Sequence, residues 1–104
     1  MSRARLQSQG AGQFRLEGVL DFASVAALAR ETDRLFQGTG VVELDLAQVQ
    51  ESNSAGLVLL LTWWEAAKRR NRNLRFHHLP ESLERLALLT DLDTLLPQAG
   101  EGDG

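Results

Sequence analysis

Apolar and polar residues alternate over residues 13–20, where QFRLEGVL places Phe14, Leu16, Gly18 and Leu20 on one side. A period of two marks a strand with one buried face. Before it, residues 1–12 are polar and glycine-containing, and Leu6 marks a short edge strand. After Leu20 the period changes. Asp21 and Ser24 are both good helix-start residues. Val25, Leu28, Ala29, Thr32, Leu35 and Phe36 then recur at helical spacing, with Arg30, Glu31, Asp33 and Arg34 between them. One amphipathic helix is predicted, ended by Gly38 and Gly40. VVELDL, residues 41–46, carries Val41, Val42, Leu44 and Leu46. That is too apolar for a half-solvated strand and predicts a central one covered on both sides. Residues 47–53 form a short polar stretch, and a second helix follows over residues 54–70. NLRFH, residues 73–77, is a further strand. Pro80 opens a third helix, where its missing N–H costs nothing. Leu83, Leu86, Ala87 and Leu89 form the buried stripe of that helix. Residues 92–96 are a last apolar piece stopped by Pro97, and the tail 98–104 is expected to be disordered.

Strands alternating with helices in the order β-β-α-β-α-β-α predict an α/β domain. Its mixed sheet has four to five strands, with helices packed on it. At 104 residues, a single domain over residues 1–97 is the natural division.

The second helix carries the functional signal. At about 100° per residue, Leu57, Leu60, Leu61 and Trp64 fall together as a core-facing stripe. The other side holds Ala55, Val58, Leu59, Thr62 and Ala66, with Trp63 at its edge; charge arrives on it only at Glu65, Arg69 and Arg70. A helix apolar nearly all round is either buried on both sides or presents an interface. A domain with three helices has little material to cover a second face. A docking surface of small and apolar residues rimmed by charge is therefore expected. Ser54 starts this helix. Its hydroxyl suits a plain N-cap, and a phosphate there would meet free N–H groups and the helix dipole.

Composition narrows the chemistry. There are no cysteines, which removes disulfides, zinc–thiolate sites and thiol nucleophiles and fits a cytoplasmic protein. The N-terminal residues have two arginines but no apolar stretch behind them, so no secretory signal is expected. The longest nearly apolar run, residues 56–64, is far short of the roughly 20 needed to span a bilayer. A net charge of −3 does not suggest nucleic acid. The chain has no GxxxxGK[ST] loop, no GxSxG elbow and no dinucleotide loop. No catalytic residue and no cofactor are therefore expected, and any ATP chemistry belongs to a partner. His77 and His78 should point to opposite faces of a strand, so no metal site is expected. Glu43 and Asp45 share a face, as an acid–base pair or, more simply, a solvated pair near the strand's end. Lys68, Arg69, Arg70, Arg72 and Arg75 form a basic cluster. Favourable charge at a helix C-terminus and complementarity to an acidic partner both explain it.

The stretch VVELDLAQVQESNSAGLVLLLTWWEAAKRRNRNLRF resembles the STAS domain, found in anti-sigma-factor antagonists and in subunits of some transporters. In that family a central strand ends in a D-[ST]-x-G-L turn leading into a helix. The matching residues are Asn53, Ser54, Ala55, Gly56 and Leu57. GVLDFASV, residues 18–25, resembles the family's entry into its first helix, and PESLERLALLTDLDTLLP its third helix and C-terminal turn. The resemblance covers residues 6–97 and implies the STAS, or anti-sigma-factor-antagonist-like, fold.

The phosphorylated branch of that family has aspartate where this chain has Asn53. The pattern is more similar to the cytoplasmic STAS subunit of the Mla-type phospholipid ABC transporter of Gram-negative bacteria. That resemblance implies a non-catalytic cytoplasmic subunit that binds the transporter's ATPase, in complex with a membrane permease. It would support the assembly and activity of a system for outer-membrane lipid asymmetry. It would sit at the inner membrane through its partner, without inserting. The residues expected to bind the partner are Asn53, Ser54, Ala55, Val58, Leu59, Thr62, Trp63 and Ala66. The alternative is an anti-sigma-factor antagonist switched by phosphorylation of Ser54. Self-association of the isolated domain through the same face stays open.

Overall fold

The structure, a computed structural model, describes residues 4–89, the side chains of residues 87–89 apart. The chain runs β1 (Arg5–Gly10), β2 (Gln13–Leu20), α1 (Phe22–Ala29), α2 (Thr32–Leu35), β3 (Val41–Ser52), α3 (Ser54–Arg69), β4 (Asn73–His77) and α4 (Glu81–Leu89). The four strands form one sheet in the order β1-β2-β3-β4. β1 and β2 are an antiparallel hairpin, whereas β2, β3 and β4 run parallel. Each parallel crossover steps one strand in the same direction. Right-handed crossovers of that kind put their helices on the same face.

The side-chain alternation agrees. Leu6, Phe14, Leu16, Val42, Leu44, Leu46, Leu74 and Phe76 are buried under the helices. Arg15, Glu17, Glu43, Asp45, Arg75 and His77 occupy the alternate positions and reach solvent. β3 is thus central in the sheet but covered on one face only, against the expectation of two. Val41 is 37% exposed at its start, and Glu43 and Asp45 are the polar half of its alternation.

Two further boundaries differ. The polar stretch after residue 46 is strand up to Ser52. Its backbone pairs with β2 through two register shifts, so Gln48 and Gln50 remain in the strand while only Val49 is buried. Ladder hydrogen bonds do not require apolar side chains. The single helix expected before Gly38 is two. The Arg30 and Glu31 amides bond three residues back, to Ala27 and Leu28 carbonyls, and the Thr32 hydroxyl donates to the Ala29 carbonyl at 2.8 Å. This closes α1, leaves Ala29 exposed, and lets Leu35 and Phe36 still enter the core.

Arg72, counted with the basic cluster, is a buried staple. Its Nε donates to the Gly40 carbonyl at 2.7 Å and its Nη1 to those of Phe36 and Gly38 at 2.8 and 2.9 Å. It thereby satisfies carbonyls of the loop between α2 and β3. Pro80 directly precedes α4, whose Leu83 is fully buried. Ala87, Leu89, residues 92–96, Pro97 and the tail 98–104 lie outside the described side chains or residues.

Candidate functional site

β2 and β3 end side by side. Leu20 lies opposite Ser52, and the Asn53 N–H donates to the Leu20 carbonyl at 3.1 Å. Each strand then enters a helix through a side-chain cap. At α1 the cap is reciprocal: Ser24 N–H donates to Asp21 Oδ1 and Asp21 N–H to Ser24 Oγ, both at 2.9 Å. This capping box bears out both helix-start residues. At α3 the cap is Asn53, whose Oδ1 accepts from the Ala55 N–H at 2.8 Å. Ser54, the expected cap, is instead the first helical residue, exposed, with its hydroxyl unused by the cap. Asparagine and serine cap about equally well, so local preference does not separate the two positions.

The turn is closed by a glycine that packing demands. A β-carbon at Gly56 would come within 2.0 Å of Ser52 Oγ and 3.1 Å of Leu20 Cδ1. The first turn of α3 therefore lies directly against the ends of β2 and β3. That contact is what holds Asn53 and Ser54 at the edge of the sheet.

Along α3 the buried arc is wider than expected and turned. Ala55, Gly56, Leu57, Leu59, Leu60, Trp63, Ala66 and Ala67 are buried. They span about 200° of the helix, with the centre rotated by about 90° from the Leu57–Leu60–Leu61–Trp64 stripe. The cause is position: α3 packs on β3 and β4 and is flanked by α1 and α4. Ala55, Leu59, Trp63 and Ala66, expected on the docking face, therefore belong to the core. Trp63 is 0% exposed, and its Nε1–H donates to Thr32 Oγ1 at 3.0 Å, tying α3 to α2. Leu61 and Trp64, expected in the core, are only half-buried, and the Lys68 ammonium lies 4.8 Å from the Trp64 ring. The exposed ridge is Ser54, Val58, Thr62, Glu65 and Arg69, beside the exposed cap Asn53. Val58 is 58% exposed.

A second part of this surface goes beyond the expected face of α3. α1, FASVAALA, has no charged residue. Only Ser24 and Leu28 are buried; Phe22, Ala23, Ala26 and Ala27 face solvent, Phe22 at 73% exposure. α1 packs against α3, and Phe22 and Ser54 follow caps on adjacent strand ends. The signal lies in the sequence: eight residues without a charge, too many for the one buried stripe a surface helix needs.

The basic cluster does not form one patch. Arg70 pairs with Asp33 at 2.7 Å, Arg72 is buried, Arg75 reaches the open sheet face, and Lys68 and Arg69 occupy the last turn of α3. Glu43 and Asp45 share a face as expected, in the first half of β3, where Glu43 contacts His77 and Asp45 meets His78 Nδ1 at 2.9 Å. His78 has a left-handed φ of 58°. The strand alternation ends there, and both imidazoles come to the same side. Among the described residues no group of three or more His, Cys, Asp or Glu side chains is placed to hold a metal ion. No helix among them is long and apolar enough to cross a membrane.

Comparison with solved structures places this architecture among anti-sigma-factor antagonists. The antagonist SpoIIAA in its unphosphorylated form matches with a TM-score of 0.69 at 15% identity, over 94% of this chain and 89% of that one. An anti-sigma factor antagonist from Mycobacterium paratuberculosis matches with a TM-score of 0.74 at 19% identity, over 99% and 89%. A STAS domain protein from Planctomyces limnophilus matches with a TM-score of 0.69 at 19% identity, over 94% and 89%. At such identities the likeness is one of fold. No curated protein matches the sequence. The family described as "Mlab, STAS domain" matches residues 4–97, nearly the whole chain, and the chain therefore belongs to the STAS-domain family.

Proposed function

We propose that this chain is a non-catalytic docking subunit whose partner is the ATPase of a phospholipid ABC transporter. The observation that carries the docking reading is one surface: Phe22, Ala23, Ala26 and Ala27 of α1 beside Asn53, Ser54, Val58 and Thr62 of α3. It is uncharged and partly apolar, with Glu65 and Arg69 at its far end. Interface cores are depleted of charge and rimmed by it. A rigid pair of capped helices presents this surface without further ordering, which lowers the cost of binding. The family description and the neutral Asn53 support the ATPase as partner. Binding would stabilise the assembled ATPase by mass action, at the cytoplasmic side of the inner membrane and beside the permease.

A second reading has its own support. The three solved relatives are anti-sigma-factor antagonists or STAS proteins, and the Ser54 hydroxyl is exposed and free of capping duty. A phosphate on it would lie at the N-terminus of α3 and put charge in the middle of the docking surface.

Size-exclusion co-elution separates the two. The purified chain is mixed with the transporter ATPase and, separately, with an anti-sigma kinase from the same cell. Co-elution with the ATPase alone supports the transporter subunit. Co-elution with the kinase, with phosphate transferred to Ser54, supports the antagonist. Val58→Asp and Ser54→Arg should weaken the supported complex by at least about tenfold while circular dichroism stays unchanged. A complex indifferent to both variants removes this surface from the interface.

A further inference from the structure

β4 ends beside a register shift in β3. The ladder between them closes with Asp45 opposite His77. Immediately beyond, β3 slips register against β2, between the pairs Arg15–Asp45 and Glu17–Gln48. The chain leaving β4 turns at His78 with its left-handed φ. One carboxylate oxygen joins the two irregularities. Asp45 Oδ1 accepts from the Ala47 N–H at 2.9 Å and meets His78 Nδ1 at 2.9 Å. Beside it Glu43 Oε1 contacts His77 Nε2. The two rings lie 6.3 Å apart in a solvent-open hollow lined also by Gln9 and Gln13.

We infer that Glu43, Asp45, His77 and His78 form a proton-operated clamp fastening the β4–α4 turn to β3. Imidazole changes charge between about pH 5 and 8, where carboxylates stay ionised. With charged rings, both contacts are charge-assisted. With neutral rings, two carboxylates spaced by one residue on β3 repel each other and keep only ordinary hydrogen bonds. The surroundings favour one pair over the other. Glu43 has a second cation, Arg75 of β4, at 4.0 Å. Arg15 of β2 lies opposite Asp45 in register, but its Nε donates to Glu17 at 2.9 Å. Asp45 therefore leans on the two histidines and on the Ala47 N–H. A left-handed backbone is unfavourable for a residue with a β-carbon, so the turn at His78 depends on what holds it. The turn leads directly into the seat of α4: Leu83 and Glu84 N–H groups bond the Pro80 carbonyl at 3.0 and 2.9 Å, and Leu83 is fully buried.

Imidazole–carboxylate contacts in general are stronger at mildly acidic than at neutral pH, and the clamp should follow them. Amide hydrogen exchange of the full chain, measured by NMR at pH 5.5 and 7.5 and divided by intrinsic rates, tests it. The Leu83 and Glu84 amides should lose about two- to fivefold in protection at the higher pH, the range expected of an exposed ion pair. Amides of β2 between residues 14 and 19 should not. Asp45→Asn, which keeps shape and an acceptor, should flatten the response. His78→Gln, at an exposed position, should do the same and serves if Asp45→Asn folds poorly. Equal protection at both pH values in the parent chain overturns the clamp. So does a response of undiminished size in either variant.

Discussion

The two outer surfaces of this domain are built on opposite rules. On the helical side, Phe22 and Val58 stand in solvent, α1 carries no charge, and along α3 none appears until Glu65 and Arg69. On the open side of the sheet charged side chains stand among polar and small ones, and the charges answer one another. Glu17 holds Arg5 and Arg15 at 3.6 and 2.9 Å, Glu43 lies between Arg75 and His77, and Asp45 meets His78. A face whose charges are mutually paired and wet is complete by itself. A face that leaves a phenyl ring and a valine uncovered has apolar area whose burial would still be favourable, by about 25 cal/mol per Å². The difference teaches where to look for a partner, and which substitutions each side should tolerate.

The most severe effect belongs just beneath the helical surface. Trp63 is fully buried and hydrogen-bonded to Thr32, one position along from exposed Thr62. Trp63→Ala should cost about 3–5 kcal/mol, read by urea denaturation. Thr62→Ala should stay within about 0.5 kcal/mol. Similar losses at both positions would mean that the ridge is not a free surface, and the contrast between the two sides would fail.

Next in size is Gly56→Ala. The added methyl meets Ser52 Oγ and Leu20 at the ends of β3 and β2. Overpacking of this kind costs about 1–3 kcal/mol. Because the strain sits under Asn53 and Ser54, the variant should also weaken partner binding more than its stability loss explains. A Gly56→Ala chain with parental stability and binding would show that the glycine is not what positions the turn.

Much of this architecture is legible in the sequence, and the exceptions have particular causes. The alternation of QFRLEGVL identifies β2 because the pleat leaves no choice of phase. The Asp21–Ser24 box is visible because both residues do local chemistry. Leu59 and Val58 cannot be told apart: both are aliphatic neighbours on one helix. Which is buried depends on α1 and α4 flanking α3, a tertiary fact that no local period encodes. The extension of β3 to Ser52 is hidden because its polar residues are held by backbone pairing. His77 and His78 are assigned to opposite faces by a rule that holds only while a strand continues. The left-handed turn at His78 ends it. Phe22 and the alanines of α1 escape a reading based on apolar runs, because a helix rich in alanine is short of charge without being strongly hydrophobic.

The smallest effect separates two pH windows on the open face. Burial pushes the Asp45 carboxyl up, but the Ala47 N–H, the hydrogen bond and charge of His78, and the charge of His77 together pull it down further, to a net value below the ordinary one. A carboxyl held low in the folded state contributes stability that is complete above its unfolded value, near pH 4, and is lost as pH falls through the folded value. This loss lies on the acid limb, below the pH range of the exchange experiment. Thermal unfolding between about pH 2.5 and 5 should therefore fall slightly less steeply for Asp45→Asn than for the parent chain. Since the Asp45 side chain is 41% exposed, solvent screens the pair and the difference should be small. If the variant keeps the full acid slope, the contacts of Asp45 do not hold its carboxyl low in the folded state, whatever becomes of the neutral-range exchange response. If both the acid slope and the exchange response are reduced, one carboxylate serves in both pH windows, and the register shift of β3 and the exit of β4 are held by the same side chain.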